Sequence, residues 1–177
     1  MLHKIHVAPG DVFLIRGGLP HAIGPGVTMV EVMEPSDWVL IPEIACCGAA
    51  LNEKQRFMGI APERAVEIFD FTSRTEPELL ERCSPRPVVI AQSASGSLRW
   101  LISPEACELF SVMELTVDGT WEFDNPDAFG IGVVTDGVLA FDGVAVAAGG
   151  NFFLPFALKR VRIAGRGRVM LVRPPRS

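Results

Sequence analysis

The sequence predicts a mainly β protein with a short helical insert. Three observations carry that expectation. Short apolar or β-branched runs recur along most of the chain. Gly, Pro and Asp-Gly pairs punctuate them. Between about residues 46 and 84 the apolar spacing changes from the period of a strand to that of a helix.

The first β portion, residues 1–45, holds the runs Asp11–Arg16, Val27–Glu34 and Trp38–Ile44, separated by glycine and proline. In residues 46–84, Asn52–Met58 and Glu63–Phe71 carry apolar side chains at helical spacing, with Ala65, Val66, Ile68 and Phe69 set among Glu63, Arg64, Glu67 and Asp70. Pro62 suits a first helical turn, and Glu76–Arg82 reads as a third short helix. From Pro85 onward the strand signal returns in Val88–Gln92, Leu98–Ile102, Glu108–Val117, Gly130–Thr135, Val138–Phe141, Asn151–Leu154, Leu158–Ile163 and Val169–Arg173. Asp118-Gly119, Asp136-Gly137, Asp142-Gly143 and Gly165–Gly167 read as turns between strands, the pattern of an antiparallel sandwich or barrel.

At 177 residues, 49% hydrophobic and 21% charged, the chain can bury a core. A formal charge of −5 argues against a sequence-independent grip on nucleic acid, which needs clustered Lys and Arg. No apolar run approaches the roughly 20 residues of a membrane helix. MLHKIHVAPGD lacks the apolar centre of a signal peptide, so a cytoplasmic protein without a membrane partner is expected. Cys46, Cys47, Cys83 and Cys107 have no CxxC spacing and read as reduced, buried or part-buried thiols. Adjacent strand side chains point oppositely, so Cys46 and Cys47 make a poor zinc pair.

The segment with the most chemistry is Gly10–Gly26, GDVFLIRGGLPHAIGPG. It reads as a strand ending at Arg16, a reversal at Gly17-Gly18 where positive φ costs nothing, and a second strand opened by His21. A lone strand histidine serves as a metal ligand or as an ordinary structural or surface residue. Arg16, beside the turn, is either a cation for a phosphate or carboxylate or an exposed strand-end arginine. His3 and His6 lie three apart on an extended chain and so on opposite faces, which makes them surface or part-buried histidines rather than a ligand pair.

Gly10, Gly18 and His21 match the second cupin motif, G-x5-P-x-G-x2-H-x3-N, with Arg16 at its proline and Pro25 at its asparagine. More narrowly, this segment, the following VEVMEPSD, RFMG at Arg56–Gly59 and the closing GGNFFLPFALKRVRIAGRGRVMLVRPP resemble the later part of type I mannose-6-phosphate isomerases. The resemblance implies a partial, second-half catalytic-type cupin over 1–45, a helical linker over 46–84 and a metal-free, jelly-roll-like C-terminal cupin over 85–177. It implies zinc as cofactor, with His21 as one metal ligand and Glu31 near the substrate as an acid–base or hydrogen-bonding group. Ser36 and Asp37 match the family's Ser-Asp pair. The implied reaction is aldose–ketose interconversion of mannose 6-phosphate and fructose 6-phosphate, with a sugar phosphate as partner.

The chain departs from that family in two ways. The family's other zinc ligands precede this motif and are absent, although catalytic zinc needs three protein ligands and an open position. The family's substrate-facing arginine is replaced by Ile41, which removes charge and directed donors. Three roles therefore follow: part of an isomerase completed by upstream protein or another chain, a degenerate sugar-phosphate-binding module, or an oligomerisation scaffold such as a homodimer built on open strand edges. The C-terminal acids Glu108, Glu114, Asp118, Glu122, Asp124 and Asp127 read as solvated side chains, with Asp124 and Asp127 a conceivable pair lacking a base.

Overall fold

A computed structural model describes residues 2–34, 38–46, 48–125 and 128–175. The chain divides into two compact units, one made of Met1–Pro9 and Ile15–Cys83, the other of Gly10–Leu14 and Ser84–Ser177.

The second unit is a seven-stranded antiparallel sheet in the order β3-β4-β5-β9-β6-β7, with β8 on the same edge of β6 as β7. The strands are β3 (Val88–Ser93), β4 (Gly96–Ile102), β5 (Ser111–Asp124), β6 (Gly130–Phe141), β7 (Val144–Ala147), β8 (Asn151–Leu154) and β9 (Arg160–Arg173). The expected mainly β, jelly-roll-like architecture is realised here. One apolar cluster gathers Met113, Leu115, Val117 and Phe123 of β5, Val134, Leu139 and Phe141 of β6, Leu154 of β8, and Val161, Ile163, Val169 and Leu171 of β9. Leu115, Val134, Leu139, Ile163 and Val169 have no exposed surface. Burial on this scale contributes about 1.5–3 kcal/mol for each large aliphatic side chain.

Three of the four expected turns are instead bends within long strands. Gly119 of β5 lies opposite Gly165 of β9, and Gly137 of β6 lies opposite Gly167 of β9. A Cβ on Gly165, where φ is +127°, would stand 2.5 Å from the Val138 carbonyl oxygen. Glycine is needed there because backbones approach closely along the fold line. Both halves of β5, β6 and β9 thus send side chains into one apolar cluster. The acidic partners of these glycines face outward: Asp118 lies 3.8 Å from Arg166 and Asp136 lies 3.7 Å from Arg168. Only Asp142-Gly143 turns the chain, between β6 and β7. Glu108 to Phe110 also precede the strand they were assigned to, since β5 starts at Ser111.

Asp124 and Arg160 extend this row of exposed cross-strand pairs at 2.7 Å, both side chains being about two-thirds exposed. Water screens such a pair. Arg160→Ala is therefore expected to leave the midpoint of chemical denaturation essentially unchanged. Glu114 differs, being 6% exposed on β5 and held by Arg99 of β4 at 2.7 Å. It is not the solvated acid the sequence suggested.

The first unit has little regular structure among its described residues: strands β1 (Ala45–Cys46) and β2 (Ala49–Ala50), helices α1 (Glu53–Phe57), α2 (Pro62–Ala65) and α3 (Glu76–Cys83), and a 3-10 turn at Val66–Ile68. Asn52 caps α1 reciprocally with Gln55, each bond being 3.0 Å. The expected helix over Glu63–Phe71 breaks at Phe69, whose backbone is extended. The expected strands at Asp11–Arg16, Val27–Glu34 and Trp38–Ile44 are not formed among the described residues. Their alternating apolar pattern suits a strand, but a strand exists only when a neighbour takes its backbone hydrogen bonds. Val27, Met29, Val30 and Met33 are consequently exposed. Cys83 is buried, Cys107 half-buried and Cys46 exposed, none of them in a disulfide among the described residues, whereas Cys47 lies outside the described residues. No described helix is long and apolar enough to cross a membrane.

Candidate functional site

The Arg16–His21 reversal is built as its residues require. The Leu19 backbone N–H donates to the Arg16 carbonyl at 3.2 Å, closing the turn across Gly17 and Gly18. Gly18 has φ +83°, the left-handed region that glycine enters without steric cost. A Cβ at Gly18 would stand 2.8 Å from the Ile68 carbonyl oxygen. On the same side the Asp70 N–H donates to the Gly18 carbonyl at 2.7 Å. The turn therefore rests against the backbone that follows the 3-10 turn.

His21 is exposed, and its Nδ1 lies 2.9 Å from the Leu19 carbonyl oxygen. A carbonyl only accepts, so Nδ1 carries the proton in this contact. In the neutral ring Nε2 then keeps its lone pair, which is the form that binds a metal. One coordination position for zinc is thus available on His21. Among the described residues no three His, Cys, Asp or Glu side chains stand together as a metal-binding group. These residues fit one bond to zinc and do not fit a complete catalytic centre, so no reaction step is assigned to the metal.

Arg16 and Glu31 are exposed. The Arg16 carbonyl serves the turn, while Glu31 makes no hydrogen bond or ion pair among the described residues. Ser36 and Asp37 lie outside the described residues, as does Asp127. His3 is exposed and donates from Nε2 to the Arg74 carbonyl at 2.8 Å, and His6 is exposed, in keeping with their reading as surface histidines. Ile41 is half-buried, and its N–H donates to the Arg56 carbonyl at 2.8 Å. The Arg56 guanidinium returns to the Pro42 carbonyl at 2.5 Å and leaves its buried Nε without an acceptor among the described residues. A guanidinium supplied by α1 therefore stands beside the Ile41–Pro42 backbone.

The sequence reading passed over Asp70 and Arg74. Asp70 Oδ2 accepts from Arg74 at 2.7 Å, Arg82 stands 3.9 Å from the same oxygen, and Asp70 Oδ1 accepts from the Thr72 N–H at 3.0 Å. Hydrogen bonding from the Thr72 side chain, then from Arg74, holds the Asp70 carboxyl far below the usual carboxylate range. The available signal was Asp-x-Thr-x-Arg, Asp70 to Arg74, at the point where the helical pattern stops.

The interior of the second unit is filled by side chains. The Phe152 ring of β8 lies 4.0 Å from that of Phe141, centre to centre. A Cβ on Gly132 would stand 2.1 Å from the Phe152 ring, so glycine makes the space the ring occupies.

No family model and no curated protein matches this chain. Among solved structures it is similar to the mannose 6-phosphate isomerase of Bacillus subtilis at 16% identity and a TM-score of 0.48, with 73% of this chain covering 37% of that one. It is also similar to an RmlC-like cupin of Shewanella frigidimarina at 15% identity and a TM-score of 0.41, covering 51% of this chain and 86% of that one. A third similar structure is the EutQ protein of Clostridium difficile, at 19% identity and a TM-score of 0.37, covering 46% of this chain and 70% of that one.

Proposed function

We propose that this chain is a cytoplasmic cupin of the mannose-6-phosphate-isomerase type that contributes one zinc ligand, His21, to a site completed by other protein. The observation that carries this reading is the His21 Nδ1 contact with the Leu19 carbonyl, which leaves Nε2 as a free lone pair beside a glycine-built turn. In a completed site the reaction is the interconversion of mannose 6-phosphate and fructose 6-phosphate. Arg16 is the residue assigned to the substrate phosphate and Glu31 the one assigned to hydrogen bonding or proton transfer at the sugar. The C-terminal β unit, with its interior filled by Phe141 and Phe152, packs and supports rather than binds.

Zinc titration of the purified chain, followed at the His21 imidazole, tests the assignment. Zinc is expected to perturb His21 Nε2, and His21→Ala to abolish that uptake. Zinc binding unchanged in His21→Ala would overturn it.

A second reading, a catalytically degenerate module for sugar-phosphate binding or oligomerisation, is favoured by the exposure of Glu31 without a partner among the described residues. Isomerase turnover by the chain alone with zinc, lost in His21→Ala, would exclude that reading. A homodimer mass in solution would support its oligomerisation form.

A further inference from the structure

The turn that carries His21 is held from outside its own sequence. Three contacts, all within the first unit, define that support. The Asp70 N–H donates to the Gly18 carbonyl at 2.7 Å. The Ile68 carbonyl oxygen occupies the place where any Cβ at position 18 would go, 2.8 Å away. The Asp70 carboxylate is tied to Arg74 at 2.7 Å and to the Thr72 N–H at 3.0 Å, with Arg82 at 3.9 Å. The Arg74 carbonyl in turn accepts from His3 at 2.8 Å, so the segment Asp70–Arg74 is fixed at both ends.

A turn closed only by the Leu19–Arg16 bond would be free to rotate its outgoing peptide. The direction of the Leu19 carbonyl depends on that rotation, and His21 Nδ1 uses this carbonyl. A contact that fixes Gly18 from behind therefore also steadies the Leu19 carbonyl that His21 Nδ1 meets at 2.9 Å. The outer partner of an imidazole sets its tautomer and its aim in this way.

We propose that Asp70 is a positioning residue for His21: with Ile68 it forms a backbone wall that locks the Gly18 turn, so that His21 holds its proton on Nδ1 and presents Nε2. The inference deepens the assignment of His21 as a metal ligand and rests on that reading for its purpose, though the locked tautomer is a property of the chain by itself. The charge network supplies the stiffness. Thr72 and Arg74 hold the Asp70 carboxyl well below the usual carboxylate range, so its ties to them persist into acid solution.

The test uses the full chain with isotope-labelled histidine and reads the His21 ring nitrogens by long-range proton–nitrogen NMR at alkaline pH. The unaltered chain is expected to show His21 protonated at Nδ1, against the Nε2-protonated form that free imidazole side chains favour. Asp70→Ala, which removes the anchored carboxylate, and Gly18→Ala, which forces the turn off Ile68, are each expected to move His21 toward the Nε2-protonated form. Asp70→Asn keeps an acceptor for the Thr72 N–H and is expected to restore much of the native signal. Glu67→Ala, in the exposed pair with Arg64, is the control and should leave it unchanged.

An unchanged tautomer in both Asp70→Ala and Gly18→Ala, with amide dispersion showing a folded first unit, would overturn the proposal. If Gly18→Ala does not fold, the contrast between Asp70→Ala and Asp70→Asn decides alone. Failure of the metal reading looks different: His21 protonated at Nδ1 and released by Asp70→Ala, yet silent toward zinc, leaves the positioning role standing and removes the ligand.

Discussion

Phe152→Ala is expected to destabilise the second unit by about 3 kcal/mol, read as a lower urea midpoint at unchanged slope. Phe152, half-buried on the short strand β8, pairs with Gly132 of β6 and packs against the buried cluster with its ring 4.0 Å from that of Phe141. Truncation removes the transfer energy of the ring and leaves a space that Gly132, having no side chain, cannot refill. Gly132→Ala should destabilise as well, because its Cβ enters the ring's volume at 2.1 Å. The double variant is expected to lose less than the sum of the two, since each change relieves part of the other. A loss below about 1 kcal/mol for Phe152→Ala would mean that the ring is not a packed member of the core. The measurement therefore reports how far a half-buried ring on β8 contributes to a core that is otherwise mostly aliphatic.

Alternation of apolar side chains made the strands of the second unit readable, and β3, β4 and β8 fall close to their expected limits. The glycines misled because Asp-Gly has two physical uses. At Asp142-Gly143 it turns the chain, with φ positive at both residues. At Asp118-Gly119 and Asp136-Gly137 it lets one strand bend while an aspartate faces an arginine across the sheet. Local sequence distinguishes these poorly, because the deciding neighbours are Gly165 and Gly167, nearly fifty and about thirty residues away. At Asp11–Arg16, Val27–Glu34 and Trp38–Ile44 the pattern was present and, among the described residues, the strands were not. Alternation states which face could be buried, whereas pairing depends on a neighbouring backbone.

The candidate site shows the same division. His21 and its glycine turn were legible because their spacing is local. Asp70 was not, since it meets Gly18 through a backbone N–H that no side-chain pattern reports. Arg56 was also hidden: it reaches the Ile41–Pro42 backbone from α1, a contact between residues fourteen apart that no local pattern reports.

Asn125→Leu is expected to cost about 3 kcal/mol in the same denaturation measurement, although it removes no volume from the protein. Asn125 is 1% exposed just beyond β5. Its side-chain amide donates to the Leu158 carbonyl at 2.8 Å and the Pro155 carbonyl at 3.3 Å, and its oxygen accepts from Arg173 at 2.8 Å. Its own N–H donates to the Lys159 carbonyl at 2.8 Å. One residue thereby joins the exit of β5, the loop between β8 and β9 and the end of β9. Leucine fits the volume but makes none of the three side-chain bonds: the Leu158 carbonyl loses its amide donor, while the Pro155 carbonyl keeps the Leu158 N–H and Arg173 keeps the Ala128 carbonyl. Asn125→Asp should cost less than leucine: its carboxylate strengthens the bond from Arg173 while giving up the two donated bonds. That order separates a hydrogen-bonded clamp from simple filling, for which leucine would be tolerated and the buried charge would be the worse change.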